Sequence, residues 1–128
     1  MINTKEMLDF LNEGKHPMLD DYLVSALWSS SDDEGNPLDD DYDVSDVSKE
    51  AIKKSEKDLK DFEKKAGKLL DGLDPKQIAH DFWLTRNGHG AGFLDRDYDG
   101  KEKKLDKIAS SFGSVMAYVG DDKKIYMD

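Results

Sequence analysis

HDFWLTRNGHGAGF, residues 80–93, gathers two histidines, an arginine, an asparagine, an aspartate and three glycines. How it is read decides the fold. Asn87-Gly88 is a strong hairpin signal, because a type I′ turn needs positive φ at both central residues. The aromatic, β-tolerant DFWLTR then predicts one strand, and HGAGFL predicts its partner. With a two-residue turn, Arg86 faces His89, Leu84 faces Ala91 and Phe82 faces Phe93 on one side of the ribbon. Trp83 lies across from Gly92 on the other side, an aromatic covering bare backbone. Packing thus accounts for the tryptophan and the glycines, and leaves His80, Arg86, Asn87 and His89 as a polar surplus.

Outward from this stretch, the flanks read as helices. Upstream, Asp74-Pro75 restarts the chain, with aspartate as cap, proline at the first helical position and Gln77 completing a capping box. Before it runs the longest helix, capped by Ser45, with Val47, Ala51, Ser55, Leu59, Phe62, Ala66, Leu69 and Leu73 forming one narrow apolar seam. Pro17 opens an earlier helix carrying Leu19, Tyr22, Leu23, Ala26 and Leu27, and Asn3 and Glu6 cap a short one stopped by Gly14. Downstream, Asp99 and Glu102 cap a helix with Leu105, Ile108, Ala109 and Phe112, ended by Gly113. SVMAYV and KIYM around GDDK predict a closing hairpin. The expectation is a single α+β domain over residues 1–128: a helical N-terminal half, then hairpin, helix and hairpin forming a small antiparallel sheet.

Charge is distributed unevenly. The first 50 residues carry 14 acidic against 3 basic side chains, while the chain as a whole is at −10. The densest part is DDEGNPLDDDYDVSD, residues 32–46, with eight carboxylates and no cation. It lacks periodicity and is rich in turn formers, which predicts an acidic surface loop at about residues 30–45. A field of this sign repels phosphate backbones and favours basic partners or cations. No cysteine is present, which excludes thiolate metal sites and disulfides. No apolar run approaches the about 18 residues of a membrane span, and the N-terminus lacks the pattern of a signal peptide, so a soluble cytoplasmic protein is expected.

Four groups of residues could carry chemistry. Arg86 and His89, adjacent on one face of the ribbon, could clamp a phosphate and move a proton, with His80 as a further candidate. The plainer reading is an exposed cross-strand pair beside a turn. His80-Asp81 resembles the dipeptide of metal phosphohydrolases, but His16 and His89 are the only other imidazoles and no ligand spacing supports it. Asp95, Asp97, Asp99 and Gly100 echo a calcium loop with Asp106 at its twelfth place. The bidentate glutamate and the entering helix are missing, so Ca²⁺ is a weak candidate and no other cofactor is indicated. Asp39, Asp40, Asp41 and Asp43 could imitate a phosphate track, or simply keep a small protein soluble.

AHDFWLTRNGHGAGFLDRDY, together with PLDDDYDVSD, AGKLLDGL and the closing FGSV and KIY segments, resembles a family of small proteins encoded by bacteriophages, prophages and some plasmids. Members carry tryptophan where Leu94 stands and a glycine-rich link where DYDGKEKK stands, which weakens the calcium pattern. The resemblance implies a phage accessory protein acting in a bacterial host cytoplasm, and it assigns no catalytic residue. The leading expectation is a non-enzymatic modulator of a basic or nucleic-acid-binding host protein, a counter-defence or DNA-mimic type of inhibitor. Its contact surface would be Asp39, Asp40, Asp41, Asp43, Arg86, Asn87 and His89, without direct contact to nucleic acid or membrane. The alternatives are a small enzyme acting on a phosphate-bearing substrate through Arg86 and His89, and a virion or regulatory component self-associating along the Val47–Leu73 seam.

Overall fold

A computed structural model describes residues 16–88 and 92–128. The short helix expected over residues 3–14 lies outside them, as does His89. Helix α1 (Leu19–Ser29) follows Pro17 and buries Leu19, Tyr22, Leu23, Ala26 and Leu27, the stripe its spacing predicted. Helix α2 (Lys49–Ala66) buries Ala51, Ser55, Leu59, Phe62 and Ala66. Its cap is Ser48 rather than Ser45: the Ser48 hydroxyl accepts from the Ala51 amide at 3.1 Å. Ser45 is already committed to the preceding turn, where its amide donates to Asp43. At its other end α2 stops at Gly67, φ 51°, so Leu69 and Leu73 lie beyond the helix and are only half-buried.

The central stretch corrects the sequence reading. DFWLTR is not a strand but the second half of helix α3 (Pro75–Arg86), which Asp74 caps by accepting from the Lys76 amide at 3.0 Å. Asn87-Gly88 is the end of that helix rather than a hairpin turn. Gly88 has φ 74° and its amide donates to the Thr85 carbonyl at 3.1 Å, the use of a left-handed glycine that closes helices. The residues from Asp81 to Arg86 are all buried, so no polar face survives to mark helical periodicity. Aromatic and β-branched residues are tolerated here because packing on every side outweighs an intrinsic preference worth under about 1 kcal/mol per residue.

A 3₁₀ turn (Phe93–Asp95) leads to helix α4 (Lys101–Ser110), which buries Leu105 and Ala109. Gly100, not Asp99, stands at its N-cap, and the Glu102 carboxylate accepts from the amides of Tyr98 and Gly100. Strands β1 (Ala117–Val119) and β2 (Ile125–Met127) form the expected closing hairpin, antiparallel with Tyr118 opposite Tyr126. The architecture is α+β, with four α-helices and one two-stranded antiparallel sheet among the described residues.

Aromatic packing ties the helices together. Phe62 of α2 stacks on Phe82 of α3 with centroids 4.3 Å apart, and Phe112 meets Phe82 edge-on at 5.1 Å. Tyr22 of α1 meets Trp83 of α3 edge-on at 5.4 Å. The sheet docks through β2: the Ser48 amide donates to the Ile125 carbonyl at 2.8 Å, and the Ser55 hydroxyl reaches the Met127 sulfur at 3.4 Å. The seam of α2 is thereby filled by the chain's own core.

Where the chain returns past α3, Gly92 rests directly on Thr85. A Cβ at Gly92 would stand 2.0 Å from the Thr85 Oγ1, which already accepts from the Phe93 amide at 3.0 Å. Gly92→Ala is therefore expected to cost about 1–3 kcal/mol by overpacking. Denaturant unfolding should show that loss, and Thr85→Ala added to it should restore part of the stability by removing the clashing oxygen.

Candidate functional site

Arg86 does not lie at an exposed tip. It is 4% exposed at the C-terminal end of α3, between α1, α2 and the segment after α4. Its Nη1 donates to the Asp58 Oδ2 at 2.7 Å and to the Tyr22 hydroxyl at 3.0 Å. Its Nε donates to the Gly113 carbonyl at 2.9 Å and its Nη2 to the Phe112 carbonyl at 3.2 Å. The rings of Phe82 and Phe112 cover the guanidinium, at 5.4 and 5.7 Å from its carbon. An arginine so enclosed holds the fold and does not reach a substrate phosphate, so the expected Arg86 clamp is corrected. Sequence reasoning missed the pair because Asp58 is one of many carboxylates on a charged helix, 28 positions away.

The other members of the surplus are distributed in the same way. Asn87 is half-buried: its Nδ2 donates to the Trp83 carbonyl at 2.9 Å, and its Oδ1 accepts from the Val115 amide at 2.7 Å. His80 is half-buried, with Nδ1 3.1 Å from the Ser25 hydroxyl and its ring 5.9 Å from that of Trp28. Its neighbour Asp81 is fully buried and engages Arg96 through both carboxylate oxygens at 3.0 Å, while the Tyr98 hydroxyl donates at 3.2 Å. That hydrogen bond to Asp81 raises the Arg96 pKa above its ordinary value. His80 and Asp81 thus serve different partners and do not converge as a ligand pair. His16 is buried too, its Nδ1 accepting from the Met18 amide at 3.0 Å and its Nε2 meeting Glu63.

Asp95, Asp97 and Asp99 are exposed on the loop before α4. Among the described residues, no three histidine, aspartate or glutamate side chains converge closely enough to hold a metal ion. Asp99 has φ 57°, a conformation that aspartate tolerates in turns.

The acidic segment is more ordered than a plain loop. The Leu38 amide donates to the Ser30 carbonyl at 2.9 Å and its side chain is 1% exposed, which pins the segment to α1. The Asp32 Oδ1 accepts from the amides of Glu34 and Asn36, both at 2.9 Å, closing the first turn. Two 3₁₀ turns follow, Leu38–Asp40 and Val44–Asp46. The second carries a reciprocal cap: Asp43 accepts from the Ser45 amide at 2.8 Å, and Asp46 accepts from the Asp43 amide at 2.9 Å. Hydrogen bonds from Ser45 hold the Asp43 carboxyl below the ordinary aspartate pKa. Asp39, Asp40, Asp41 and Asp43 are all exposed, and none forms an ion pair among the described residues. The structure thus presents four uncompensated carboxylates on a backbone anchored by Leu38 and Val47. Trp28 and Val24, on the exposed side of α1, are 56% and 52% exposed, a patch that sequence periodicity did not single out.

No family model, no curated protein and no solved structure matches the chain. Among the described residues, no helix is long and apolar enough to cross a membrane.

Two outcomes are expected of the Arg86 cluster. Arg86→Leu leaves the Asp58 charge with only Lys54, 3.9 Å away, and leaves two carbonyls unmatched, and should lower unfolding free energy by about 3–5 kcal/mol in denaturant titration. Burial pushes the Tyr22 phenol up from 10.0 to about 12, against the lowering influence of Arg86. Below pH 10 both states hold the proton; above it the unfolded phenol ionises first, so this contribution is lost as pH rises toward about 12. Tyr22→Phe should remove about 2–3 kcal/mol of that alkaline loss, measured as unfolding free energy against pH beside the native chain.

Proposed function

We propose that this chain is a non-enzymatic accessory protein of phage type, which occupies a basic site on a host protein through its Asp39–Asp43 face. The observation that carries the reading is the set of four exposed carboxylates, without an ion pair among the described residues and fixed on short turns, with no lysine or arginine between residues 32 and 46. Uncompensated charge on an ordered backbone raises the rate of encounter with a cationic surface and loses less entropy on docking than a floppy acidic tail would. A DNA-binding channel of a host restriction, CRISPR or other nucleic-acid enzyme is the kind of surface it suits. Such channels are built to hold a row of phosphates. The bacterial cytoplasm is the compartment this reading requires.

The test uses the tagged chain and its Asp39→Lys, Asp40→Lys, Asp41→Lys, Asp43→Lys variant as baits in a bacterial lysate, at low and high salt. The native bait should retain one stoichiometric basic protein at low salt and release it at high salt. The fourfold reversal should weaken that complex by about 100-fold or more while circular dichroism is unchanged. Equal capture by both baits would remove the acidic face from the interaction.

A further inference from the structure

The two faces of the closing hairpin differ. Ala117, Ile125 and Met127 turn into the core, while Tyr118 and Tyr126, a directly opposed cross-strand pair, take the solvent side. Met116 lies on that side too, two residues before Tyr118; they are 70% and 38% exposed. The two rings stack with centroids 5.9 Å apart and planes 24° from parallel. A carboxylate holds each phenol: Tyr118 donates to the Asp128 Oδ2 at 2.8 Å, and Tyr126 to the Asp122 Oδ2 at 2.6 Å. Tyr126 also lies over the bare backbone of Gly120, where a Cβ would stand 2.5 Å from its Cε2. Both rings are thus fixed before any partner arrives. Cross-strand packing accounts for the pair, but not for Met116, whose apolar side chain extends the surface past Tyr118 into water.

The surroundings choose among the flat groups that stack on such rings. A trough runs past Tyr118 along β1, and its two hollows of about 580 and 420 Å³ share Ser31, Asp33 and Tyr118. Trp83 and Asn87 close the inner hollow, which Asp33 and Asp128 line without a lysine or arginine among the described residues. In the outer hollow Asp32, Asp33 and Glu34 outnumber Lys123. The hydrogen bond to Asp122, with the charge of Glu50 nearby, pushes the Tyr126 phenol up to about 12, and the bond to Asp128 raises that of Tyr118. Both rings therefore stay neutral in a negative field. Lys49 and Lys124 flank Tyr126, which leaves the Tyr118 end as the one open to a cation. A nucleobase could stack here, but its phosphates would be repelled. A guanidinium stacks as well, and brings the matching charge and a fork of donors.

We propose that the Met116–Tyr118 face of the hairpin docks a partner protein through an arginine side chain. Its guanidinium lies on the Tyr118 ring with its donors toward Asp33 and Asp128, and its stem packs on Met116. Tyr126 backs the ring from the other strand. The contact is separate from the Asp39–Asp43 face and does not rest on that reading. There charge alone acts, and lysine serves as well as arginine; here a planar cation is required.

The probe is a fluorescein-labelled hexapeptide of alternating arginine and glycine, with its lysine counterpart, titrated by anisotropy and followed through the tyrosine ring protons in NMR spectra. The arginine peptide should bind saturably, shift the Tyr118 ring protons, and bind about fivefold or more tighter than the lysine peptide. Tyr118→Leu keeps apolar bulk without a π face and should abolish that preference, whereas Tyr118→Phe should keep it. Asp33→Asn with Asp128→Asn should weaken the arginine peptide about tenfold. The ring-proton shifts are read on the native chain, so the proposal stays testable if a variant does not fold. The fourfold Asp39–Asp43 lysine variant should still show the shifts and the preference, whether or not it captures a host protein. Equal binding of the two peptides, unmoved Tyr118 ring protons, or a preference that survives Tyr118→Leu would each overturn the proposal. So would tighter binding of a thymidylate hexamer than of the arginine peptide. Concentration-dependent dimerisation of the free chain that moves the same protons would overturn it too, since a second copy would then be the occupant.

Discussion

A guanidinium taken out of water costs several kcal/mol unless its donors are met, and Arg86 is met from every side. Asp58 supplies the opposite charge from α2, Tyr22 an oxygen from α1, and Phe112 and Gly113 their carbonyls from the end of α4. The helices must therefore occupy their places together, because moving any one strands a buried polar group. The aromatic stack of Phe62, Phe82 and Phe112 closes over the same point and excludes the water that could otherwise replace a lost partner. Arg96 and Asp81 repeat the arrangement nearer the surface, linking α3 to the turn before α4. Most of the polar groups in the central motif are consumed in this way.

What remains for function lies at the periphery, and it is acidic. Anchoring by Leu38 and Val47 converts a composition bias into a shaped face, since each aspartate in the 39–43 run leaves from a turn with a definite direction. The same segment supplies Asp32, Asp33 and Glu34 to the wall of the trough beside β1. The acidic field thus comes from one charged stretch, while the basic residues are concentrated elsewhere, chiefly on the exposed sides of α2 and α4. This separation keeps the acidic field from being neutralised within the molecule.

Asn87 illustrates how a residue can be structural and still point to a site. Its amide closes α3 through the Trp83 carbonyl and simultaneously satisfies the outward amide of Val115. It thereby ties the end of α3 to the segment that enters β1. Its neighbour Gly88 completes the helix end, a use of Asn-Gly that competes with the hairpin turn for the same pair of residues.

The sequence by itself determined the α+β class, the existence but not the ends of the helices that bury Leu19–Leu27, Ala51–Ala66 and Leu105–Ala109, the closing hairpin and the location of the charge. Those elements announce themselves through one-sided apolar spacing, caps and turns, all of which are local. Only the tertiary structure decided that DFWLTR is helical and that Arg86 is buried. A segment enclosed on all sides has no amphipathic period to read, and the carboxylate that admits Arg86 to the interior comes from a helix 28 residues away.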